Sequence, residues 1–188
     1  MMRIFRQLDE HECVLRAQRG NHAAFSELVA RHQDRIYRFL FRLMRSQDDA
    51  RDLTQETFLR AYQGLPRWRP DASFSTWLFR IGRNLAIDLL RRDRHAEFVA
   101  LEDDAHIVDP GSGPDRALET AQRYRMLEAA LARLPVDHRE ILLLREIEEM
   151  SYDEIAAVLD LTLGTVKSRI ARARAALLDK MPRSLEEM

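Results

Sequence analysis

Toward the C-terminus, Lys167, Ser168, Ala171, Arg172 and Arg174 bring charged and small residues together at helical spacing. Guanidinium and ammonium groups bond guanine acceptors or phosphate oxygens, and a small residue such as Ala171 lets a helix approach base edges closely. In the same stretch Val166, Ile170, Ala173 and Leu177 recur at steps of four, three and four, which turns them to the opposite, packed face. A packed face backing a basic one is what a helix seated in a DNA major groove requires. Charge alone decides little, because ordinary solvated helices are often basic. The residues just upstream supply the geometry. Ser151-x-x-Glu154 is a capping box, a short helix follows to Leu159, Asp160 to Thr162 forms a turn, and Thr162 caps the second helix. The stretch from Ser151 to about Leu178 therefore reads as a helix-turn-helix.

Two more sets of polar residues lie in the first half. Asp52, Gln55 and Glu56, with Leu59, occupy one stripe of a helix; by itself such a stripe is a solvated acidic face. Arg67, Trp68 and Arg69 cluster in a loop, and Asn84, Asp88, Arg91 and Arg92 fall at helical steps on a face that could meet a nucleic-acid strand. Trp77 lies in an apolar stripe, where an aromatic is more often core than a stacking platform for bases. The remaining chemistry is sparse. Six histidines lack ligand spacing, and neither a glycine-rich phosphate loop nor an acid-base constellation occurs. His11 and Cys13 fall short of a metal site and read as a surface pair. We expect no enzyme, no cofactor and no metal.

The elements that must position these groups are helices. Phe25, Leu28, Val29, His32, Ile36, Phe39, Leu40 and Leu43 recur at three- and four-residue steps. After a break at Ser46 to Asp48, a second helix begins near Asp48 to Asp49, buries Ala50, Leu53, Thr57, Phe58 and Ala61, and ends at Gly64 with Pro66 beyond. A loop from Pro66 to Ala72 leads to a third helix that begins around Ser73 to Ser75 and runs to Arg92. Ala117 to Leu134 forms another helix, stopped by Pro135, and Asp137 with Glu140 has capping-box spacing at the start of a scaffold helix through Ile147. Strand patterns are absent. The expectation is an all-α chain of two small domains, 1–95 and 117–188, joined by a flexible linker, 96–116, around Pro110-Gly111-Ser112-Gly113-Pro114.

The 188 residues carry a net charge of −1, which would be odd for a nucleic-acid binder if charge were spread evenly. It is not. Glu97 to Glu119 holds seven carboxylates against Arg116, a net of −6, whereas Pro66 to His95 and Leu161 to Lys180 each net +4. As a hypothesis, the acidic stretch mimics nucleic acid between two basic readers. Cys13 is the single cysteine, which excludes an internal disulfide and suits a reducing cytoplasm. No apolar core of a secretory signal appears in Met1 to Glu12, and no run of about 18 apolar residues suggests a membrane span.

Three motifs carry a family resemblance: Asp52-Leu53-Thr54-Gln55-Glu56-Thr57-Phe58-Leu59-Arg60-Ala61-Tyr62, then Phe74 to Arg92, then Gly164 to Arg174. In this order they resemble the sigma-70 family, specifically the small extracytoplasmic-function sigma factors that keep only the second and fourth sigma domains. The resemblance spans about Leu15 to Leu178. It implies that 1–95 is sigma domain 2 and 117–188 sigma domain 4, and that the partners are core RNA polymerase, promoter DNA and an anti-sigma factor. It assigns core-polymerase docking to Asp52, Gln55, Glu56, Phe58 and Arg60. It assigns minus-ten recognition and melting to Arg67, Arg69, Asn84, Asp88, Arg91 and Arg92, and places Leu65 to Ser73 as the loop that receives a flipped base. Minus-thirty-five contact falls to Thr165, Lys167, Ser168, Ala171, Arg172 and Arg174. The competing reading is a free-standing helix-turn-helix transcription regulator, which would need a sensor or dimerisation domain in the first half.

Overall fold

The structure, a computed structural model, describes residues 9–96 and 114–181, and among these residues every regular element is helical. The acidic stretch from Glu97 to Asp109 lies outside the described residues. Leaving aside residues 157–160, the chain divides into two compact units at Leu101 and Glu102.

The first unit opens with a helix that periodicity did not reveal, α1 (Glu10–Gln18). It is two and a half turns long, too short to display a pattern, and is held by packing on the next helix. That helix, α2 (His22–Met44), buries Ala24, Leu28, His32, Ile36, Phe39, Leu40 and Leu43 along one stripe. Asn21 caps its start by accepting the Ala24 amide at 3.0 Å, and Arg45 ends it in the left-handed region at φ 63°. Helix α3 (Gln47–Gly64) is capped by Ser46, which accepts the Asp49 amide at 3.2 Å, while Asp48 and Asp49 face the positive end of its dipole. A 3-10 turn (Leu65–Arg67) follows, then α4 (Phe74–Ala96), where the Ser73 hydroxyl accepts the Thr76 amide at 3.1 Å.

Helices α2, α3 and α4 pack against one another. They meet at Gly82 of α4, where a Cβ would stand 3.1 Å from Thr57 Oγ1 and 3.7 Å from the Leu40 methyls. Thr57 cannot easily retreat, being buried with its hydroxyl donated to the Leu53 carbonyl at 2.6 Å. Cys13, expected at the surface beside His11, is fully buried with Val14 and Ala17 in the face of α1 that meets α2; His11 is exposed. The surface pair is therefore corrected: two positions along a helix are about 200° apart, which turns His11 and Cys13 to opposite faces.

The second unit runs α5 (Pro114–Ala132), α6 (Val136–Leu142) with a π-helical continuation (Leu143–Ile147), α7 (Tyr152–Leu159) and α8 (Leu163–Lys180). Helix α5 starts three residues before the expected Ala117 and stops at Ala132. Its C-terminal end is closed by Arg139, whose guanidinium is buried and donates to the carbonyls of Leu131, Ala132 and Leu134 at 3.0–3.1 Å. The Leu131 carbonyl also accepts the Leu134 amide at 3.1 Å, and Arg139 adds donors at this end of the helix, where carbonyls run out of intrahelical partners. The expected capping box of Asp137 and Glu140 does not form. Pro135 occupies the cap position of α6 without a side-chain bond, so Asp137 is already inside the helix. Glu140 is directed inward, 1% exposed at its side chain, with Oε1 3.9 Å from Arg169 Nη1 of α8. Helices α5 and α6 both pack on α8.

Candidate nucleic-acid interface

The helix-turn-helix is assembled from local bonds. The Ser151 amide donates to Glu154 Oε2 at 2.9 Å and the Glu154 amide to Ser151 Oγ at 3.2 Å, the reciprocal exchange its spacing predicts. Asp160 makes the turn in the left-handed region at φ 54°, a conformation Asp tolerates better than most residues. Thr162 then caps α8, its Oγ1 accepting the Thr165 amide at 3.3 Å. Thr165 is consequently half-buried, its hydroxyl 2.9 Å from that of Thr162.

Along α8, Val166, Ile170 and Ala173 are buried as expected, while Leu177 is half-buried. Lys167, Ser168, Ala171, Arg172 and Arg174 are exposed on the other side. The two exposed arginines differ. Arg172 places one N–H on the Ser168 carbonyl at 3.3 Å, a long bond. Arg174 donates twice to Glu146 Oε1, at 2.6 and 3.0 Å, and that bond pushes its pKa further up. The Glu146 pairing went unseen in the sequence because the partners are 28 positions apart. Arg145, beside it, lies 5.0 Å over the Tyr152 ring and donates to the Met150 carbonyl at 2.7 Å, tying the π-helical segment to the start of α7.

In the first unit the loop between α3 and α4 presents Arg67 and Arg69 to solvent, with Trp68 half-buried between them. The Trp68 ring lies 5.9 Å from Trp77 and 6.1 Å from Phe74, and Phe74 and Trp77 are 5.8 Å apart. Trp77 is half-buried, so the core position its spacing favours is reached only in part. Gly64 makes room for it: a Cβ there would stand 3.2 Å from Trp77 Cζ2. Asn84, Asp88, Arg91 and Arg92 are all exposed on one face of α4.

On α3, Asp52, Gln55 and Arg60 are exposed and Glu56 is half-buried, with Arg60 Nε donating to Glu56 Oε1 at 2.7 Å. Leu59, 51% exposed, continues the stripe, and Tyr62, 39% exposed, extends it with its hydroxyl 3.1 Å from His22 Nδ1. Phe58 is 8% exposed and belongs to the core; it orients the stripe from behind rather than forming part of the surface. Among the described residues, no group of three His, Cys, Asp or Glu side chains is placed to hold a metal ion.

Two family models match the chain: Sigma-70 region 2 over residues 28–96 and Sigma-70, region 4 over residues 124–177. The chain is 40% identical over 174 residues to the ECF RNA polymerase sigma factor SigE of Mycolicibacterium smegmatis, a match covering 89% of this chain and 66% of that relative's length. It is 36% identical over 179 residues to the RNA polymerase sigma-H factor of Pseudomonas aeruginosa, covering 91% of this chain and 93% of the relative. Among solved structures, the sigma factor RpoE of Bartonella quintana in complex with the anti-sigma factor NepR matches at TM-score 0.70 and 26% identity, over 83% of this chain and 95% of that one.

Proposed function

The chain belongs to the sigma-70 family as an extracytoplasmic-function sigma factor, and on that premise we propose which of its surfaces meets polymerase and which meets promoter. A sigma factor is a non-enzymatic initiation factor: the polymerase supplies the chemistry, and sigma directs it to specific promoters and assists their melting. The observation that carries this reading over a free-standing regulator is the region 2 match across α2 to α4, where a regulator would need a sensor or dimerisation domain.

The exposed stripe of α3, Asp52, Gln55, Glu56, Leu59 and Arg60, docks core polymerase. It combines carboxylates with an exposed leucine, and Phe58 anchors it from the core side. The loop arginines Arg67 and Arg69, with Asn84, Asp88, Arg91 and Arg92 of α4, hold the displaced minus-ten strand. Separating a duplex requires exposed bases to be received and the phosphates neutralised, and this face offers cations beside an aromatic cluster. Helix α8 reads the minus-thirty-five element through Lys167, Ser168, Ala171 and Arg172. Thr165 sets the start of that helix, and Arg174 reaches DNA only by leaving Glu146. An anti-sigma factor is the third partner, a reading supported by the complex of the Bartonella relative. The site of action is with RNA polymerase in the cell interior, which we place in the cytoplasm.

The docking surface is tested by competition for core polymerase. Asp52→Lys combined with Glu56→Lys lowers core affinity at least about tenfold, the effect of like charge replacing complementary charge at an interface. Core affinity equal to wild type would move docking to another face.

A further inference from the structure

Gln18 is the last residue of α1 and lies ahead of the stretch matched to region 2, which begins at residue 28. Its side-chain amide reaches 47 and 50 positions along the chain. Nε2 donates to the Leu65 carbonyl at 3.1 Å and to the Trp68 carbonyl at 2.9 Å. These are the two ends of the 3-10 turn that opens the loop between α3 and α4, and the Trp68 amide closes the same turn on the Leu65 carbonyl at 3.1 Å. Pro66 inside the turn has no N–H to contribute. A planar NH₂ carries two hydrogens, which matches two carbonyls a turn apart.

The residues so gripped bracket Arg67 and immediately precede Arg69. Arg67 lies inside the turn, Trp68 at its end and Arg69 just beyond. The Trp68 ring is held from its other side by Trp77 and Phe74. The loop is therefore fixed at its backbone by α1 and at its aromatic by α4, while the two arginines remain exposed. The geometry points to Gln18 as a positioning residue for minus-ten strand capture: it holds Leu65 to Trp68 in one conformation, so that Arg67 and Arg69 are presented without first being ordered. This role rests on the promoter reading above. A loop ordered in advance binds more tightly because the ordering entropy is not lost on binding.

The test uses Gln18→Met, which keeps the length and apolar stem and removes both donors, and Gln18→Lys, which restores a donor. In the full chain, hydrogen exchange at the Trp68 amide accelerates about tenfold in Q18M, as two bonds that restrain the turn are lost. Holoenzyme carrying Q18M binds single-stranded oligonucleotides from its own promoters about tenfold more weakly, while core affinity stays within about twofold; Q18K recovers part of both losses. Wild-type exchange and wild-type strand binding in Q18M would overturn the inference. So would equal losses in Q18M and Q18K with core affinity falling alongside, since that marks general damage to α1. If wild-type holoenzyme itself fails to select a strand, the promoter reading falls, and the exchange measurement still decides whether Gln18 holds the loop.

Discussion

Arg172 and Arg174 stand two residues apart on α8, both exposed, yet they begin from different states. Arg174 is held by Glu146 at 2.6 Å, so binding a phosphate means exchanging one anion for another. Among the described residues Arg172 bonds only the Ser168 carbonyl and has no carboxylate to give up. Arg172→Ala is expected to cost about 1–3 kcal/mol of promoter affinity, unevenly across minus-thirty-five sequences if it meets a base edge and evenly if it meets a phosphate. Glu146→Gln releases Arg174 and steepens the dependence of log affinity on log salt by about one; an unchanged slope means that Glu146 withholds nothing from DNA. The pair at the start of the chain makes a different claim. His32 Nε2 lies 2.7 Å from Glu10 Oε2, and this bond, opposed in part by burial, holds the Glu10 carboxyl below its ordinary pKa. A depressed carboxyl contributes stability above its unfolded value, and that contribution is lost as pH falls through the folded value. Melting temperatures measured down through and below the ordinary carboxylate range should fall less steeply for Glu10→Gln than for wild type. Parallel curves would remove Glu10 from the acid response.

At the scale of elements, what could be read in the sequence was what depends on near neighbours. Ser151 with Glu154, and Thr162 with Thr165, are exchanges across three positions, and both form where their spacing places them. Asp137 with Glu140 has the same spacing and fails, because Pro135 starts the helix two residues too early and Glu140 is drawn inward near Arg169. The long stripes of α2, α3 and α4 were legible from periodicity, whereas the short α1 was not, since nine residues hold too few repeats. Long-range pairs were invisible to spacing. Arg139 is the clearest, a surface cation by composition that instead closes the end of α5 from the interior. Arg139→Met, similar in length but without donors, takes the guanidinium from the Leu131, Ala132 and Leu134 carbonyls and should destabilise the second unit by about 2–4 kcal/mol in urea unfolding. A loss of only a few tenths would mean that water satisfies them equally well. At the proposed docking stripe two readings of Phe58 competed: the resemblance gave it a polymerase contact while periodicity buried it, and its 8% exposure agrees with periodicity.

For the whole molecule, the net charge of −1 conceals two basic segments, proposed above as the promoter contacts, separated by an acidic stretch. Two weak contacts joined by a tether strengthen one another through effective concentration, so neither needs to bind promoter tightly alone. If the acidic residues reach either basic segment, they bear on that balance, since carboxylates compete with phosphate for a basic surface. Replacing Glu102, Asp103 and Asp104 by their amides should raise the DNA affinity of the free chain several-fold, roughly, at low salt and less at high salt; unchanged affinity and unchanged initiation would remove the acidic stretch from regulation. The account as a whole rests on one claim, that this chain confers promoter selection on an enzyme that lacks it. Purified chain added to sigma-free core polymerase, with a pool of genomic promoters as template, tests that claim most directly. Discrete transcripts that start at a subset of promoters and disappear when the chain is omitted are the predicted result; no core binding and no promoter-specific transcript from any template would contradict it.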